Sequence, residues 1–128
     1  DNRKYIGVHE IWAKPQGYLN MAGIFKVFDI NGNELWSVTI DPHPEDMDIC
    51  LAPNGEYAVG LPMFEEPLFI LESNKVEIDK EPPTKNPWRD ISFSSDGKYF
   101  VVTSLGGEIK VFEDREGKSY KRIQGEIE

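Results

Sequence analysis

Hydrophobic and polar residues alternate with the two-residue period of a β-strand over much of the chain, most clearly between residues 88 and 113. In this stretch Ile91 and Phe93 share one face of a first strand. An apolar run centred on Val101, Val102 and Thr103 follows, and such runs are typical of strands covered on both faces. Polar and apolar residues alternate again from residue 108 to residue 113. The pattern therefore predicts three short strands.

Turn residues separate these strands. Asp96-Gly97 lies between the first and second strands, and Gly106-Gly107 lies between the second and third. Both central positions of a two-residue hairpin turn favour residues that tolerate positive φ. The three strands should therefore pair in chain order as most of a four-stranded antiparallel meander.

The chain also repeats itself. Asp, Ile, Gly, Tyr and Val recur when the segment that begins at Asp48 is aligned with the segment that begins at Asp90, 42 positions later. A separate match aligns Lys26-Val27-Phe28 with Lys110-Val111-Phe112 at an offset of 84, which is twice 42. A period in the low forties with several short strands in each repeat indicates β-propeller blades.

The predicted fold class is all-β, with antiparallel four-stranded β-meander blades that form part of a β-propeller. Residues 1–40 are predicted to form a blade that lacks its first strand, residues 41–81 a second blade, and residues 82–128 a third. In this alignment Tyr5 matches Tyr99, and the loop that follows the Tyr5 strand carries an insertion. The predicted strands are Lys4–Trp12, Ile24–Ile30, Leu35–Ile40, Met47–Ala52, Tyr57–Met63, Leu68–Glu72, Lys75–Asp79, Asp90–Ser94, Tyr99–Ser104, Glu108–Glu113 and Ser119–Ile123.

Composition narrows the classes of partner. A hydrophobic content of 39% indicates a folded chain, because disordered segments lack such apolar surface. The net charge of −9 argues against nucleic acid and anionic membrane surfaces, which are bound through basic patches. No apolar run approaches the length of about 18 residues that a membrane helix needs, so no membrane insertion is predicted. Cys50 is the only cysteine, so an internal disulfide is excluded. The cysteine content therefore does not indicate whether the protein works in an oxidising or a reducing cellular compartment.

Two stretches resemble known propeller families. The segment DISFSSDGKYFVVTSLGGEIKVFE, residues 90–113, resembles a WD-repeat-type blade, although the Trp-Asp and Gly-His pairs of true WD repeats are absent. The segment FKVFDINGNELWSVTI, residues 25–40, resembles the outer strands of quinoprotein-type blades. In those blades an aspartate and a turn glycine precede a Leu-Trp docking pair, here Asp29, Gly32, Leu35 and Trp36. The resemblance implies a fold, and propellers host many unrelated activities.

The blade count predicts an incomplete ring. Known propellers close with about four to eight blades, so three units leave two open sheet edges that invite pairing with another chain. We expect the partner to be another protein, or further blades in the same chain or in a second chain, including a copy of this one. The leading hypothesis is a non-catalytic scaffold for protein interaction or assembly, without a cofactor. One alternative is a larger propeller enzyme, a quinoprotein-like dehydrogenase or a peptidase propeller, whose reactive groups lie outside this chain. Another is a structural component of a multi-subunit or surface assembly.

Aromatic residues on the loops of one propeller face are the predicted partner-binding residues, because exposed aromatics are common interface anchors. Hydrophobic packing between blades is the competing interpretation for the same side chains. The predicted set is the aromatic residues Trp12, Tyr18, Phe64 and Trp88, together with Arg89 next to Trp88.

Other chemistry is weakly represented. Asp48 and Asp90 head the innermost strands, where carboxylates bind a cation or accept backbone hydrogen bonds. His9 and His43 have no second histidine at the local spacing of metal ligands, so no metal site is predicted. The segment DINGNE, residues 29–34, is interpreted as a hairpin turn and not as a calcium loop. No nucleophile motif accompanies the histidines, so no catalytic residue is predicted.

Overall fold

The computed structural model describes residues 4–13, 21–44, 46–62, 68–78, 88–105, 107–113 and 124–126. These residues form an all-β structure in which every pair of neighbouring strands is antiparallel. Its strands are β1 (Tyr5–Ala13), β2 (Met21–Asp29), β3 (Glu34–Ile40), β4 (Met47–Leu51), β5 (Ala58–Pro62), β6 (Phe69–Glu72), β7 (Lys75–Ile78), β8 (Trp88–Phe93), β9 (Tyr99–Ser104), β10 (Glu108–Glu113) and β11 (Gln124–Glu126). No helix in this described part is long and apolar enough to cross a membrane.

The strands form three separate sheets, each in chain order. Sheet 1 contains β1, β2 and β3, sheet 2 contains β4 to β7, and sheet 3 contains β8 to β11. The prediction of antiparallel meanders is therefore confirmed. The predicted strands Tyr99–Ser104 and Glu108–Glu113 match their observed bounds. The predicted strand Ser119–Ile123 lies outside the described residues, and Gln124–Glu126 forms the fourth strand of sheet 3.

The turn between β2 and β3 is a hairpin turn held by Asp29. Its carboxylate accepts hydrogen bonds from the backbone amides of Asn31 and Asn33, at 2.9 and 3.0 Å, and from the Asn33 side chain at 3.1 Å. These donors stabilise the ionised carboxylate, and the Asn33 amide is the main reason that the pKa of Asp29 lies below its ordinary value. The interpretation of residues 29–34 as a hairpin turn is confirmed.

Sheet 2 lies between the other two sheets, because its two faces belong to different hydrophobic clusters. The face with Ala58, Phe69 and Leu71 packs against Phe25, Val27, Val38 and Ile40 of sheet 1. The opposite face packs against sheet 3 in a cluster of Ala52, Tyr57, Val59, Leu61, Leu68, Ile70, Trp88, Phe100, Val102 and Phe112. Every residue of β5 is buried as a result. Among the described residues, sheets 1 and 3 are each covered on one face only.

The first hairpin turns of sheets 2 and 3 have the same backbone geometry 42 residues apart. In sheet 2 the amide of Gly55 donates to the Ala52 carbonyl at 2.9 Å, and in sheet 3 the amide of Gly97 donates to the Ser94 carbonyl at 2.9 Å. Both glycines have positive φ, +73° and +76°, which other residues adopt only with strain. The internal repeat thus corresponds to a repeated local structure.

Each of these turns is also a docking point for the preceding sheet. Trp36 of sheet 1 donates its indole N–H to the Gly55 carbonyl at 2.7 Å, and the Tyr5 ring lies against Gly55. One repeat later, the buried Tyr57 hydroxyl donates to the Gly97 carbonyl at 2.7 Å. Tyr5 and Tyr57 occupy equivalent repeat positions, so equivalent tyrosines contact the next turn at both junctions, Tyr5 through its ring and Tyr57 through its hydroxyl.

Candidate protein-interaction surface

The outer face of sheet 1 is the face directed away from sheet 2. Alternate side chains of a strand point to the same face of its sheet, so the register of β1 with β2 defines the membership of this face. Apolar side chains predominate there, although it is open to solvent: Ile6, Val8 and Trp12 are 49%, 39% and 45% exposed. Its members on β1 and β2 are Ile6, Val8, Glu10, Trp12, Ala22, Ile24, Lys26 and Phe28.

Charged residues are few on this face. Lys26 lies between Val8 of β1 and Ser37 of β3 in the sheet register. Its ammonium group is 3.8 Å from the Glu34 carboxylate, and both side chains are more than one third exposed, so this ion pair is weak. Glu10 lies opposite Ile24. The face therefore offers an apolar surface with one central cation and carboxylates beside it.

Trp12 is the predicted partner-binding residue that lies on this face. It stands near the end of β1 and opposite Ala22 of β2. An exposed indole combines a large apolar surface with one hydrogen-bond donor, which is why tryptophan is frequent at the energetic centres of interfaces. Its surroundings on an apolar sheet face strengthen the prediction that it contacts a partner.

The other predicted residues have different surroundings. Tyr18 and Phe64 lie outside the described residues. Trp88 is only 5% exposed and belongs to the core between sheets 2 and 3. Its side chain is thus buried by packing, the competing interpretation, and it adds nothing to an exposed surface. Arg89 is exposed beside Trp88, where the pairing of β8 with β9 shifts register.

Trp88 has a structural role that sequence reasoning did not anticipate. The Lys110 ammonium lies 4.9 Å from the centroid of a Trp88 ring, within cation–π range, and Lys110 is 1% exposed. A charged residue is rarely buried so completely without partners. Tertiary packing between β8 and β10 creates this contact, and no local sequence spacing signals it.

The outer face of sheet 3 is the second open sheet face. The register of β8, β9 and β10 places on it Asp90, Ser92, Tyr99, Val101, Thr103, Ile109 and Val111. Tyr99 is 43% exposed, whereas Val101, Thr103, Ile109 and Val111 are half-buried. Most of its strand residues are β-branched, which suits a pleated surface that packs against another layer.

The two histidines lie side by side, although 34 residues separate them in sequence. The Nε2 atoms of His9 and His43 are 2.8 Å apart, and their rings stack with centroids 4.9 Å apart. His43 Nδ1 faces the Pro44 carbonyl, which can only accept, so Nδ1 carries the proton and Nε2 of a neutral His43 accepts from His9. The two histidines are therefore close in space, although their separation in sequence is not the short spacing that is typical of metal ligands.

Burial is the main cause that lowers the pKa of His9, and the nearby His43 adds to it. The amide of His43 also donates to the Met21 carbonyl at 2.9 Å, which fixes the loop after β3 against sheet 1. A pair of imidazoles supplies two nitrogen ligands, whereas structural metal sites use about four. No group of three or more metal-ligating side chains occurs among the described residues.

The predicted carboxylate pair lies near Cys50. Asp48 and Asp90 are both exposed, and both raise the pKa of the Cys50 thiol, for which burial is the larger cause. Asp90 Oδ1 accepts from the Ile91 amide at 2.9 Å. This bond is local to the strand, and the cation-binding interpretation gains no third ligand within the described part of the chain.

A shallow groove of about 750 Å³ lies beside the two docked turns. Its lining mixes aromatic rings with polar backbone and carboxylates: Tyr5, Leu35, Trp36, Pro53, Asn54, Gly55, Glu56, Ser95 and Asp96. Trp36 donates its indole N–H to the Gly55 carbonyl, and Asn54 donates one side-chain N–H to the Asp96 carbonyl at 3.3 Å. These two side chains therefore link neighbouring sheets.

A scan of the sequence against protein-family models finds no match, and a search of the curated proteins also finds no match. The function must therefore be inferred from the chemistry of the two open sheet faces.

Proposed function

We propose that this chain is a non-catalytic segment of a β-propeller-type scaffold, and that it binds another protein surface through the outer face of sheet 1. The observation that carries the proposal is the exposure of Ile6, Val8 and Trp12, each at least 39% exposed on one sheet face, where Glu10 separates Val8 from Trp12 along β1. Exposed apolar side chains gathered on one sheet face are costly to leave in water and mark interaction sites.

The propeller part of the proposal draws support from the repeat. Two four-stranded meanders follow each other in the chain, and their first turns share hydrogen bonds and glycine geometry at the repeat offset. Each sheet docks on the turn of the next through a tyrosine in the same repeat position. Propellers are built by the repetition of such meanders around a central axis, so the proposal extends the observed succession of sheets to that arrangement.

The scaffold part draws support from the composition of the face. Its members on β1 and β2 are mostly aliphatic and aromatic, as in the cores of protein interfaces, and Lys26 and Glu10 are the charged residues among them. The whole chain carries a net charge of −9, so a partner with basic residues at the rim would associate faster.

The test is an affinity capture with matched variants. The chain is immobilised, an extract of its natural source is passed over it, and retained proteins are identified and quantified, including copies of the chain itself. Ile6→Glu places a charge on the outer face of sheet 1, where Ile6 is 49% exposed. Ile78→Glu is the control, because Ile78 is a strand isoleucine that is 48% exposed and lies on neither open face.

We expect Ile6→Glu to reduce retention of the main bound protein at least tenfold, while Ile78→Glu leaves retention unchanged. Burying an unpaired carboxylate in an apolar interface costs several kcal/mol, which is more than the 1.4 kcal/mol that a tenfold change requires. Equal retention by both variants, with both still folded by circular dichroism, would show that this face binds nothing.

A further inference from the structure

The same three-residue motif has opposite burial in sheets 1 and 3. Lys26-Val27-Phe28 on β2 and Lys110-Val111-Phe112 on β10 are equivalent by the repeat. Val27 is 0% exposed, whereas Lys26 and Phe28 are half-exposed on the outer face of sheet 1. In sheet 3 the lysine and phenylalanine are buried, at 1% and 0% exposed, and Val111 is half-exposed.

The difference follows from which neighbour each sheet has. Within the described parts of the chain, sheet 1 is covered only on the side of the following sheet, and sheet 3 only on the side of the preceding sheet. In each copy of the motif, the buried side chains are therefore those on the face that the adjacent sheet covers. Taken together, the two copies show that a Lys-Val-Phe strand of this repeat has side chains suited to burial on both faces.

A second pair of positions leads to the same conclusion. Val59 and Leu61 of β5 are 0% and 7% exposed, because sheet 3 covers them. Their equivalents, 42 residues later, are Val101 and Thr103 on the outer face of sheet 3, where both are half-exposed. The outer face of sheet 3 is thus equivalent to the face of sheet 2 that packs against the following sheet. By the Lys-Val-Phe motif, the outer face of sheet 1 is equivalent to the face of sheet 3 that packs against the preceding sheet.

The repeated tyrosine marks the same open position. Tyr5 packs on the turn of the following sheet, and so does Tyr57, which is 1% exposed. Tyr99 is their equivalent in sheet 3 and is 43% exposed, at the place where the chain provides no following sheet among the described residues.

We propose that a second copy of this chain covers these faces, with the outer face of sheet 3 of one copy packed against the outer face of sheet 1 of the next. This inference rests on the proposed function and names its partner. Within the chain, a face that packs on a following sheet meets a face that packs on a preceding sheet twice, between sheets 1 and 2 and between sheets 2 and 3. The two open faces, on sheet 3 and sheet 1, are one of each kind.

Charge favours the same pairing. Lys26 is the central cation on the outer face of sheet 1, and Asp90 is an exposed carboxylate on the outer face of sheet 3. Lys26 lies opposite Val8 on one side and Ser37 on the other, and Asp90 lies opposite Thr103. Such an interface is heterologous, because it joins two different patches, and heterologous association forms either a closed ring or an open filament.

The test uses two face variants of the full chain, each measured by size-exclusion chromatography with light scattering. Ile6→Glu disables the outer face of sheet 1, and Val101→Glu disables the outer face of sheet 3. Ile109→Glu replaces Val101→Glu if circular dichroism shows that the latter does not fold. Ile78→Glu is the control that changes neither face. The decisive sample is an equimolar mixture of the two face variants.

We expect the wild type and Ile78→Glu to have masses that are multiples of the monomer, and each face variant alone to be monomeric. The mixture should give a species of twice the monomer mass, because the intact sheet 3 face of one variant meets the intact sheet 1 face of the other. That species cannot grow, since its two remaining faces are both disabled.

A wild type that stays monomeric at its highest soluble concentration would overturn the inference, and so would a mixture that stays monomeric while the wild type associates. The two proposals fail separately. If the wild type is monomeric but Ile6→Glu still loses a protein captured from the extract, the scaffold function stands and the partner is a different chain. If Ile6→Glu captures as much as the control and the wild type is monomeric, both fall.

Discussion

Replacement of Tyr57 by phenylalanine isolates the contact that joins sheet 2 to sheet 3. Tyr57 is 1% exposed, and its hydroxyl donates to the Gly97 carbonyl at 2.7 Å. Its ring packs against Phe93 and Phe100, with centroids 5.9 and 6.0 Å away. Phenylalanine keeps these ring contacts and removes only the hydroxyl, so the change tests the hydrogen bond and little else.

The expected loss of stability follows from the burial of that bond. A hydrogen bond in a protein contributes about 0.5–1.5 kcal/mol net, and a buried partner left without one costs about 1–3 kcal/mol. We therefore expect Tyr57→Phe to lower the free energy of unfolding by about 1–2 kcal/mol. With a urea m-value of about 2 kcal/mol/M, the midpoint should fall by about 0.5–1 M.

Tyr99→Phe is the matched control for this experiment. Tyr99 is equivalent to Tyr57 by the repeat but is 43% exposed, so its replacement should change stability by less than about 0.5 kcal/mol. Urea unfolding followed by far-UV circular dichroism, at a concentration low enough to keep the chain monomeric, measures both variants. Equal midpoints for the two variants would refute the claim that a buried tyrosine hydroxyl holds sheets 2 and 3 together.

Three further predictions concern stability. Phe112→Ala should lower the free energy of unfolding by about 3–5 kcal/mol, because the ring is 0% exposed and stacks on a neighbouring phenylalanine 4.7 Å away. Phe28 is half-exposed, so Phe28→Ala should cost about half as much in the monomer. Denaturant titration compares the two variants. Gly55→Ala should lower the free energy of unfolding by at least about 1 kcal/mol more than Gly32→Ala. Both glycines have positive φ, but only the methyl group added at position 55 would meet an aromatic ring, at 2.6 Å. Similar melting temperatures for the two variants would contradict this prediction. The pKa of His9 lies below its ordinary value of 6.5, so as the pH falls the unfolded chain binds this proton before the folded chain does. The free energy of unfolding should therefore decline as the pH falls below 6.5. His9→Gln should flatten that decline in urea titrations from about pH 7.5 to about pH 5.5.

The strands of sheets 2 and 3 were largely predictable because their signals are local. The apolar run of β9 and the period-2 alternation of β10 place both strands at their observed bounds, although β9 is fully buried on one face only. Gly97 has the expected positive φ, but the loop runs from Ser94 to Lys98 and is longer than the two-residue turn predicted. Even the repeat could be found by alignment, since it recurs at a constant offset of identical residues. Signals of this kind depend only on neighbouring residues and survive without knowledge of the tertiary structure.

The candidate surface was only partly predictable. Trp12 is exposed as expected, but the predicted Trp88 is buried under Lys110, a residue that its charge would place at the surface. Ile6 and Val8 were missed, because an apolar residue in an alternating strand is normally assigned to the core. Only the order in which the sheets stack shows that their face has no covering layer within the described residues.

By itself, the sequence determined the all-β class, the antiparallel meanders, the turn positions and the internal repeat, because local alternation, glycine turns and recurring motifs encode them. Tertiary structure alone decided the burial of each repeated residue. The Lys-Val-Phe motif is identical in β2 and β10, yet its buried half differs, since burial depends on which side a neighbouring sheet occupies. The contact between His9 and His43 has the same origin: sheet pairing brings together residues that are distant in the chain, and no local spacing records it.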